Sequence, residues 1–539
     1  MNLRGRSLLH AATCVALVST SAASSAAVML KPSDAPVFNQ DADAPERPAS
    51  SAMPSIDKLA RPDEQAQLAE YMGALAGPDS RNPKTLLPVL DRILARLPRP
   101  TMLRGFVQMT RAMVLGALDR HAEAVVAVEE AIRLMPDYAG PLLTAAQIYL
   151  YSNNPELASD ALIRASEIDP QDVRRAGDYE AIGLLNRLDA IRDHKRARLL
   201  ADRLLAIGWT GSGVVSRSQL AFRVIRQAMS EGDVARARLL LPSLLQPGAS
   251  YQLLADRSYS AIWPDLEKEG GPNLSGRWSL YMAEARKRWL ANGELERGVD
   301  YASALQSAGD LDTLIAEFLP RFDKPLDPQR DWPLLFIAPK LVNALMTLGR
   351  TDDALGVYKH ASQAWPIGSS ANALNIYANE ANALLYADRP AEALARIDAA
   401  IADSHRWPGE VNVDAIGGMH QTRACALHAL GRDKEAAVSA SVAAQVGHVT
   451  QRAELALCMD KPAEAEAALL KAFADPEERT EAIGLMQPDN TPVIPTANGR
   501  KRRASLDALR ANPRLLAALA PVGRILPFAL SDGAPKPAK

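Results

Sequence analysis

Residues 112–136 read AMVLGALDRHAEAVVAVEEAIRLMP and residues 146–170 read AQIYLYSNNPELASDALIRASEIDP. Displaced by 34 residues, Ala112, Ala124, Ala131 and Pro136 fall on Ala146, Ala158, Ala165 and Pro170. A fixed period of this length marks a stacked-repeat architecture. Each copy holds two helix-spaced apolar stretches separated by a break, Asp119-Arg120 in the first and Asn153-Asn154 in the second. The spacing predicts helices near 103–117 and 121–134, then near 140–151 and 155–168, with Pro136 and Pro170 ending the second of each pair. The small residues have a steric reason. Antiparallel helices approach closely only where a methyl group or less stands between them, and proline stops the second helix so that the chain can turn back.

This pattern resembles the tetratricopeptide repeat, in which small residues hold the eighth, twentieth and twenty-seventh positions of a 34-residue unit and proline the thirty-second. Ala112, Ala124, Ala131 and Pro136 match those positions in order, as do Ala146, Ala158, Ala165 and Pro170. The fourth position, where Trp is typical, is Gln108 in one unit and Leu142 in the next. The resemblance implies an all-α solenoid of helical hairpins. Farther along, Gly349, Ala354, Tyr358, Ala361 and Pro366 fit a third unit, and the pairs Ala393/Ala400, Ala436/Ala443 and Ala465/Ala472 mark three more with looser spacing. An earlier unit is expected around Leu86, Ile93 and Pro98. Between 178 and 330 the pattern degenerates, although His194, Val234 and Leu295 each follow a turn-like stretch that would open a second helix. The stretch 250–277, with Trp263-Pro264 and Gly270-Gly271-Pro272, is the expected joint between two stacks. All seven Trp residues lie between 209 and 407, where they are expected to fill irregular packing, with a ligand platform as the lesser alternative.

Composition agrees with helices and argues against other classes. Of the 539 residues 48% are hydrophobic but only 5% aromatic, a makeup unlike that of β-sandwiches or barrels. With Lys+Arg 61 against Asp+Glu 63, the net charge of -2 supplies no basic field for nucleic acid. Arg4 and Arg6, the short apolar stretch Leu8–Val18 and the small residues 24–27 read as a cleaved secretory signal, so the expected location is the periplasm. No later stretch is long and apolar enough to span a membrane. Residues 28–61, rich in Pro, Asp, Ala and Ser, read as a disordered linker. The remaining divisions are repeats at 62–177, degenerate repeats at 178–330, repeats at 331–486, and a loop, capping helices and a disordered tail at 487–539. Cys425 and Cys458 are expected as two separate small apolar side chains, with pairing in an oxidising periplasm as the alternative.

The resemblance places function on the face lined by the first helix of each unit, where such proteins bind other proteins or peptides. In that register Asn343 and Asn382 hold the ninth position of consecutive units, where repeats that grip a terminal carboxylate carry Asn. The accompanying Lys would stand at the fifth position, which here is Pro339, so the expectation is a peptide backbone held by paired amides. Tyr386, Gln421 and His428 are further groove candidates in the C-terminal units, and Leu143, Gln147 and Tyr151 in the N-terminal ones. No catalytic residues, metal site or cofactor are expected. The sequence has no zinc-protease, nucleophile-elbow or phosphate-loop motif. On one helix Cys425 and His428 would point about 140° and 80° away from His420, so the three do not converge. The run Arg500-Lys501-Arg502-Arg503 reads as a solvated cluster at the start of a helix from 504, and Leu515–Leu530 as the cap of the stack. The leading expectation is thus a periplasmic adaptor for proteins or peptides, serving envelope or exopolysaccharide-export assembly. The alternative is an enzyme with its site in the divergent 178–330 region, where Asp178, Glu180, Asp193 and His194 are titratable.

Overall fold

A computed structural model describes residues 59–77, 82–174, 176–209, 211, 213–407, 411 and 413–535. The expected signal at 1–27 and almost all of the expected linker, up to residue 58, lie outside the described residues. Helices dominate, and extended pairing among the described residues is limited to a bridge between Asp256 and Gly523. The chain is an all-α succession of helical hairpins in two compact units, which divide at residues 211 and 212.

The first unit contains α1 (Gln65–Ala76), α2 (Pro83–Ala95), α3 (Met102–Ala117), α4 (His121–Leu134), α5 (Ala139–Tyr151), α6 (Pro155–Ile168), α7 (Leu184–Ala190) and α8 (His194–Ala206). The hairpins α3/α4 and α5/α6 are those predicted by the 34-residue period. Each turns through one residue in the left-handed region, Asp119 at φ 58° and Asn153 at φ 59°, a conformation that Asp and Asn tolerate better than other side chains. Pro155 then opens α6 at its first position, where a missing N–H costs nothing. Ala112, Ala124, Ala131, Ala158 and Ala165 are fully buried at the helix crossings. A leucine at Ala165 has no free volume to enter. Ala165→Leu is expected to destabilise this unit by about 1–3 kcal/mol, measured as a fall in melting temperature of about 2–4 °C per kcal/mol. An unchanged melting curve would mean that the crossing is not tight.

The second unit begins with α9 (Val214–Ser230), α10 (Val234–Leu240), α11 (Pro247–Ala255), α12 (Trp263–Gly270), α13 (Ser275–Asn292), α14 (Leu295–Ala308) and α15 (Leu311–Phe318). Four regular hairpins follow: α16 (Leu334–Thr347) with α17 (Thr351–Ala364), α18 (Leu374–Tyr386) with α19 (Pro390–Ser404), α20 (Val413–Ala429) with α21 (Asp433–Val446), and α22 (Val449–Cys458) with α23 (Pro462–Ala474). Their turns repeat the left-handed residue, at Gly349, Asp388, Gly431 and Asp460. Ala354, Ala361, Ala393, Ala400, Ala436, Ala465 and Ala472 are fully buried, as the repeat requires. The chain ends with α24 (Arg479–Leu485), α25 (Ala497–Arg510) and α26 (Pro513–Leu519).

Two features of this unit differ from expectation. Residues 250–277 lie inside the unit rather than at a joint, and they receive the C-terminal tail. The backbone N–H of Arg257 donates to Val522 O at 2.9 Å and that of Arg524 to Ala255 O at 2.8 Å. Tyr251 Oη donates to Phe528 O at 2.8 Å, and Trp278 Nε1 to Leu530 O at 2.8 Å. The helical pattern lapses there because the segment has a distant partner to meet, not because it bends freely. The tail itself is held up to residue 535. Leu530–Gly533 forms a 3-10 turn with Gly533 buried, and Asn490 Nδ2 donates to Asp532 Oδ1 at 2.8 Å. Leu515 and Leu519 of α26 are buried, in keeping with a capping role. Four of the seven Trp residues serve core packing. Trp209, Trp278, Trp289 and Trp365 are buried, and Trp209 Nε1 donates to Ala176 O at 2.9 Å.

Candidate protein-binding groove

The first helices α18, α20 and α22 of three consecutive hairpins pack side by side and form one face. Asn382 and Tyr386 of α18, Gln421 and Cys425 of α20, and Glu454 and Cys458 of α22 line it. Cys425 and Cys458 are joined in a disulfide, with Cα atoms 5.6 Å apart. The expectation of two unpaired side chains is thus corrected. Counted from Ala436 and Ala465, Cys425 holds the ninth and Cys458 the thirteenth position of neighbouring units, so the bond joins places one turn apart in register on adjacent first helices.

Helix α25 lies on this face, packed against α18, α22 and α23. The cavity left beneath it measures about 60 Å³, room for a few waters rather than a ligand. The basic run is therefore neither solvated as a whole nor placed before a helix: residues 500–503 are inside α25. Four cations near a helix N-terminus oppose its dipole, and a carboxylate from the groove wall offsets them. Asp388, in the turn of the α18/α19 hairpin, accepts from Ala497 N at 2.9 Å and Asn498 N at 2.8 Å, while Asn498 Nδ2 donates to Leu385 O at 2.8 Å. Thr496 supplies the ordinary cap, accepting from Gly499 N at 3.1 Å.

Farther along α25, Lys501 Nζ stands 2.7 Å from Asp460, and Arg502 Nη2 stands 2.7 Å from Glu454. The Glu454 side chain is 2% exposed and that of Arg502 20%, so this is the most sequestered pair of the contact. The Arg502 guanidinium also lies 5.2 Å from the centre of the Tyr386 ring, a cation–π arrangement. Burial alone would disfavour the Arg502 charge, but Glu454 and Tyr386 outweigh it and hold its pKa above the usual value. Burial raises the Tyr386 phenol to about 12, so the ring meets the cation as a neutral face. Arg503 Nη1 reaches Asp489 at 2.8 Å on the loop that leads into α25.

Of the residues expected in the groove, Asn382, Tyr386 and Gln421 meet around this cavity. His428 stands one step away. Its Nδ1 is 2.7 Å from Asp433 and its Nε2 is 3.2 Å from Asp460, the carboxylate that also receives Lys501. Hydrogen bonding to Asp433 and then to Asp460 raises the His428 pKa. A raised folded-state value means that the stabilisation is complete below the ordinary histidine pKa and is lost as pH rises through the raised one. The stability of wild type relative to His428→Gln is thus expected to fall between about pH 6 and 8, by less than about 1 kcal/mol for a pair this exposed. Parallel denaturation curves at both pH values would contradict it. Asn343, on α16, is buried outside the cavity and its Nδ2 has no hydrogen-bond partner. Leu143, Gln147 and Tyr151 lie on α5 of the first unit, where Gln147 Nε2 donates to Glu180 Oε1 at 2.9 Å.

Glu454 is not among the groove residues expected from the sequence. It holds the same ninth position in its unit as Asn343 and Asn382 in theirs, counted back from Ala465. A carboxylate in that row, facing a later run of cations, was the available signal. The titratable residues of the enzyme alternative have structural partners. Glu180 accepts from Gln147, Asp193 caps α8 by accepting from Arg196 N at 3.1 Å, and His194 Nδ1 lies 3.8 Å from Asp189. Among the described residues no group of three metal-ligating side chains converges, and no helix is long and apolar enough to cross a membrane.

Residues 117–178 match the family model described as tetratricopeptide repeat. No curated protein matches the chain. Among solved structures it is similar to Naa15/Naa10 bound to HypK-THB, at 15% identity and a TM-score of 0.28, covering 78% of this chain and 70% of that one. It is similar also to the P58(IPK) TPR domain, at 15% identity and a TM-score of 0.19, covering 69% of this chain and 99% of that one. A third is the APC/C hetero-tetramer Cut9-Hcn1, at 13% identity and a TM-score of 0.27, covering 79% of this chain and 97% of that one. Residues 117–178 thus match the tetratricopeptide repeat, and the same hairpin, left-handed turn residue and buried alanines recur from 334 to 474.

Proposed function

We propose that this protein is a periplasmic scaffold that binds a protein or peptide along its first-helix groove and helps to assemble an envelope complex such as an exopolysaccharide-export machine. The observation that carries the binding role is α25. The groove of the C-terminal hairpins holds a helical segment by caps, ion pairs and a ring contact, the kind of grip a protein ligand needs. The compartment is supported by the Cys425–Cys458 disulfide, a bond that persists in oxidising surroundings and is rare in the cytosol. The N-terminal signal pattern supports the same location.

Fractionation of cells producing the full chain, with intact-mass measurement, tests the location. The expected product is periplasmic, begins near residue 28 and has no free thiol at Cys425 or Cys458. A cytosolic chain starting at Met1 with both thiols free would overturn the proposal. A photo-crosslinking residue at Gln421 tests the scaffold role, the expected result being one stoichiometric envelope protein attached to the chain. Labelling indistinguishable from that at an exposed second-helix position such as Val438 of α21, which is 68% exposed, would contradict it.

A further inference from the structure

Helix α25 differs from its flanks in what holds it. Of its 14 residues only Gly499 and Leu509 are buried. The segment before it buries Leu485, Met486 and Ile494, and the segment after it buries Leu515, Leu519 and Leu526. Those flanks are fixed by apolar contact, whereas α25 is fixed chiefly by charge. Ion pairs with a solvent-exposed member are weak and are screened by salt. Lys501 and Asp460 are both more than half exposed.

The wall of the groove is acidic where α25 is basic. Asp388 and Asp460 hold left-handed turn positions at φ 59° and φ 57°, where Gly349 and Gly431 stand in the alternate hairpins. Glycine is the least strained choice for such a turn and Asp a tolerated one, as at Asp119, so the turn accepts the carboxylates without requiring them. Their use lies in contacts beyond the hairpin: Asp388 receives the N-terminus of α25 and Asp460 receives Lys501. Glu454, between them on the groove floor, needs a cation as long as it is covered.

We propose that the groove formed by α18, α20 and α22 is a receptor for a basic amphipathic helix of a partner protein, and that α25 is a resident mimic which that helix displaces. The partner helix carries a Lys-Arg pair one turn inside its N-terminus: the Lys meets Asp460, the Arg enters between Glu454 and Tyr386, and the first backbone N–H groups meet Asp388. The proposal rests on the groove being a protein-binding surface and names the chemistry of what it binds.

The probe is a fluorescent peptide of residues 496–511, TANGRKRRASLDALRA, titrated against the full chain by anisotropy. In the Lys501→Glu/Arg502→Glu chain the resident helix is expelled, and the peptide is expected to bind at least about tenfold tighter than to wild type, because the open groove is no longer the minor population. Adding Glu454→Gln should remove most of that gain. Equal affinity for wild type and the expelled chain, or binding indifferent to Glu454→Gln, would overturn the proposal. Should the expelled chain lose its helical circular dichroism, Asp388→Gly supplies the test, since glycine suits the left-handed turn. Amide exchange over 497–510 is then expected to quicken about tenfold while that of 374–404 stays unchanged; unchanged exchange over 497–510 would overturn the proposal. The peptide assay reads groove chemistry alone, so its failure removes the basic-helix receptor and leaves the scaffold role to the crosslinking experiment.

Discussion

Replacing Cys425 and Cys458 together by serine is expected to lower the stability of the second unit by about 3–4 kcal/mol. The bond closes a loop across a sequence separation of 33 residues, and cutting it returns that loop's freedom to the unfolded chain. The bond also joins α20 to α22 at the floor of the groove, so its loss lets two first helices separate under α25. Denaturant unfolding should show the midpoint falling and the slope rising slightly, because the unlinked unfolded chain exposes more surface, and reduction of the wild-type protein should reproduce the shift. A loss below about 1 kcal/mol would mean that repeat packing alone holds the two helices in register.

Trp278→Ala is expected to cost as much or more, about 3–5 kcal/mol. The indole is 1% exposed, stands edge-on to Tyr281 with centroids 6.2 Å apart, and donates to Leu530 O at 2.8 Å. Alanine would leave a cavity in α13's packing and an unpaired carbonyl in the tail. Because the tail ties residues 520–535 back to 251–278, its release has a second readout. Arg524, now bonded to Leu254 O and Glu267, becomes a site of tryptic cleavage. Trp278→Phe, which keeps much of the volume but not the donor, should show the cleavage with a smaller loss of stability. Wild-type stability in Trp278→Ala would contradict the assigned anchoring role.

Local features were legible in the sequence. The helices expected near 103–117, 121–134, 140–151 and 155–168 are found at 102–117, 121–134, 139–151 and 155–168. Their limits are set by neighbouring residues, a left-handed turn at Asp119 or Asn153 and a proline just beyond the last turn, and the buried alanines follow from the same period. What escaped the reading joins residues far apart in the chain. The seat of α25 pairs Asp388 with Ala497 and Asn498, more than a hundred residues later. Nothing local to 500–503 distinguishes a cation that meets solvent from one that meets Glu454. The tail from Ser531, expected from the sequence to be disordered, is held for the same reason by a residue far back in the chain, Asn490, which donates to Asp532. The disulfide was within reach: Cys425 holds the same ninth position as Asn382 and Cys458 the same thirteenth position as Tyr386, so both face the groove from adjacent first helices.

The central claim is that the groove of the C-terminal repeats carries a helix of its own chain, held by charge between apolar anchors. Hydrogen–deuterium exchange of the wild-type chain, followed over 479–519 at low and at high salt, tests it most directly. The account predicts that 497–510 exchanges faster than 479–485 and 513–519, and that added salt accelerates exchange in 497–510 alone. Uniform protection of all three segments, unmoved by salt, would contradict it.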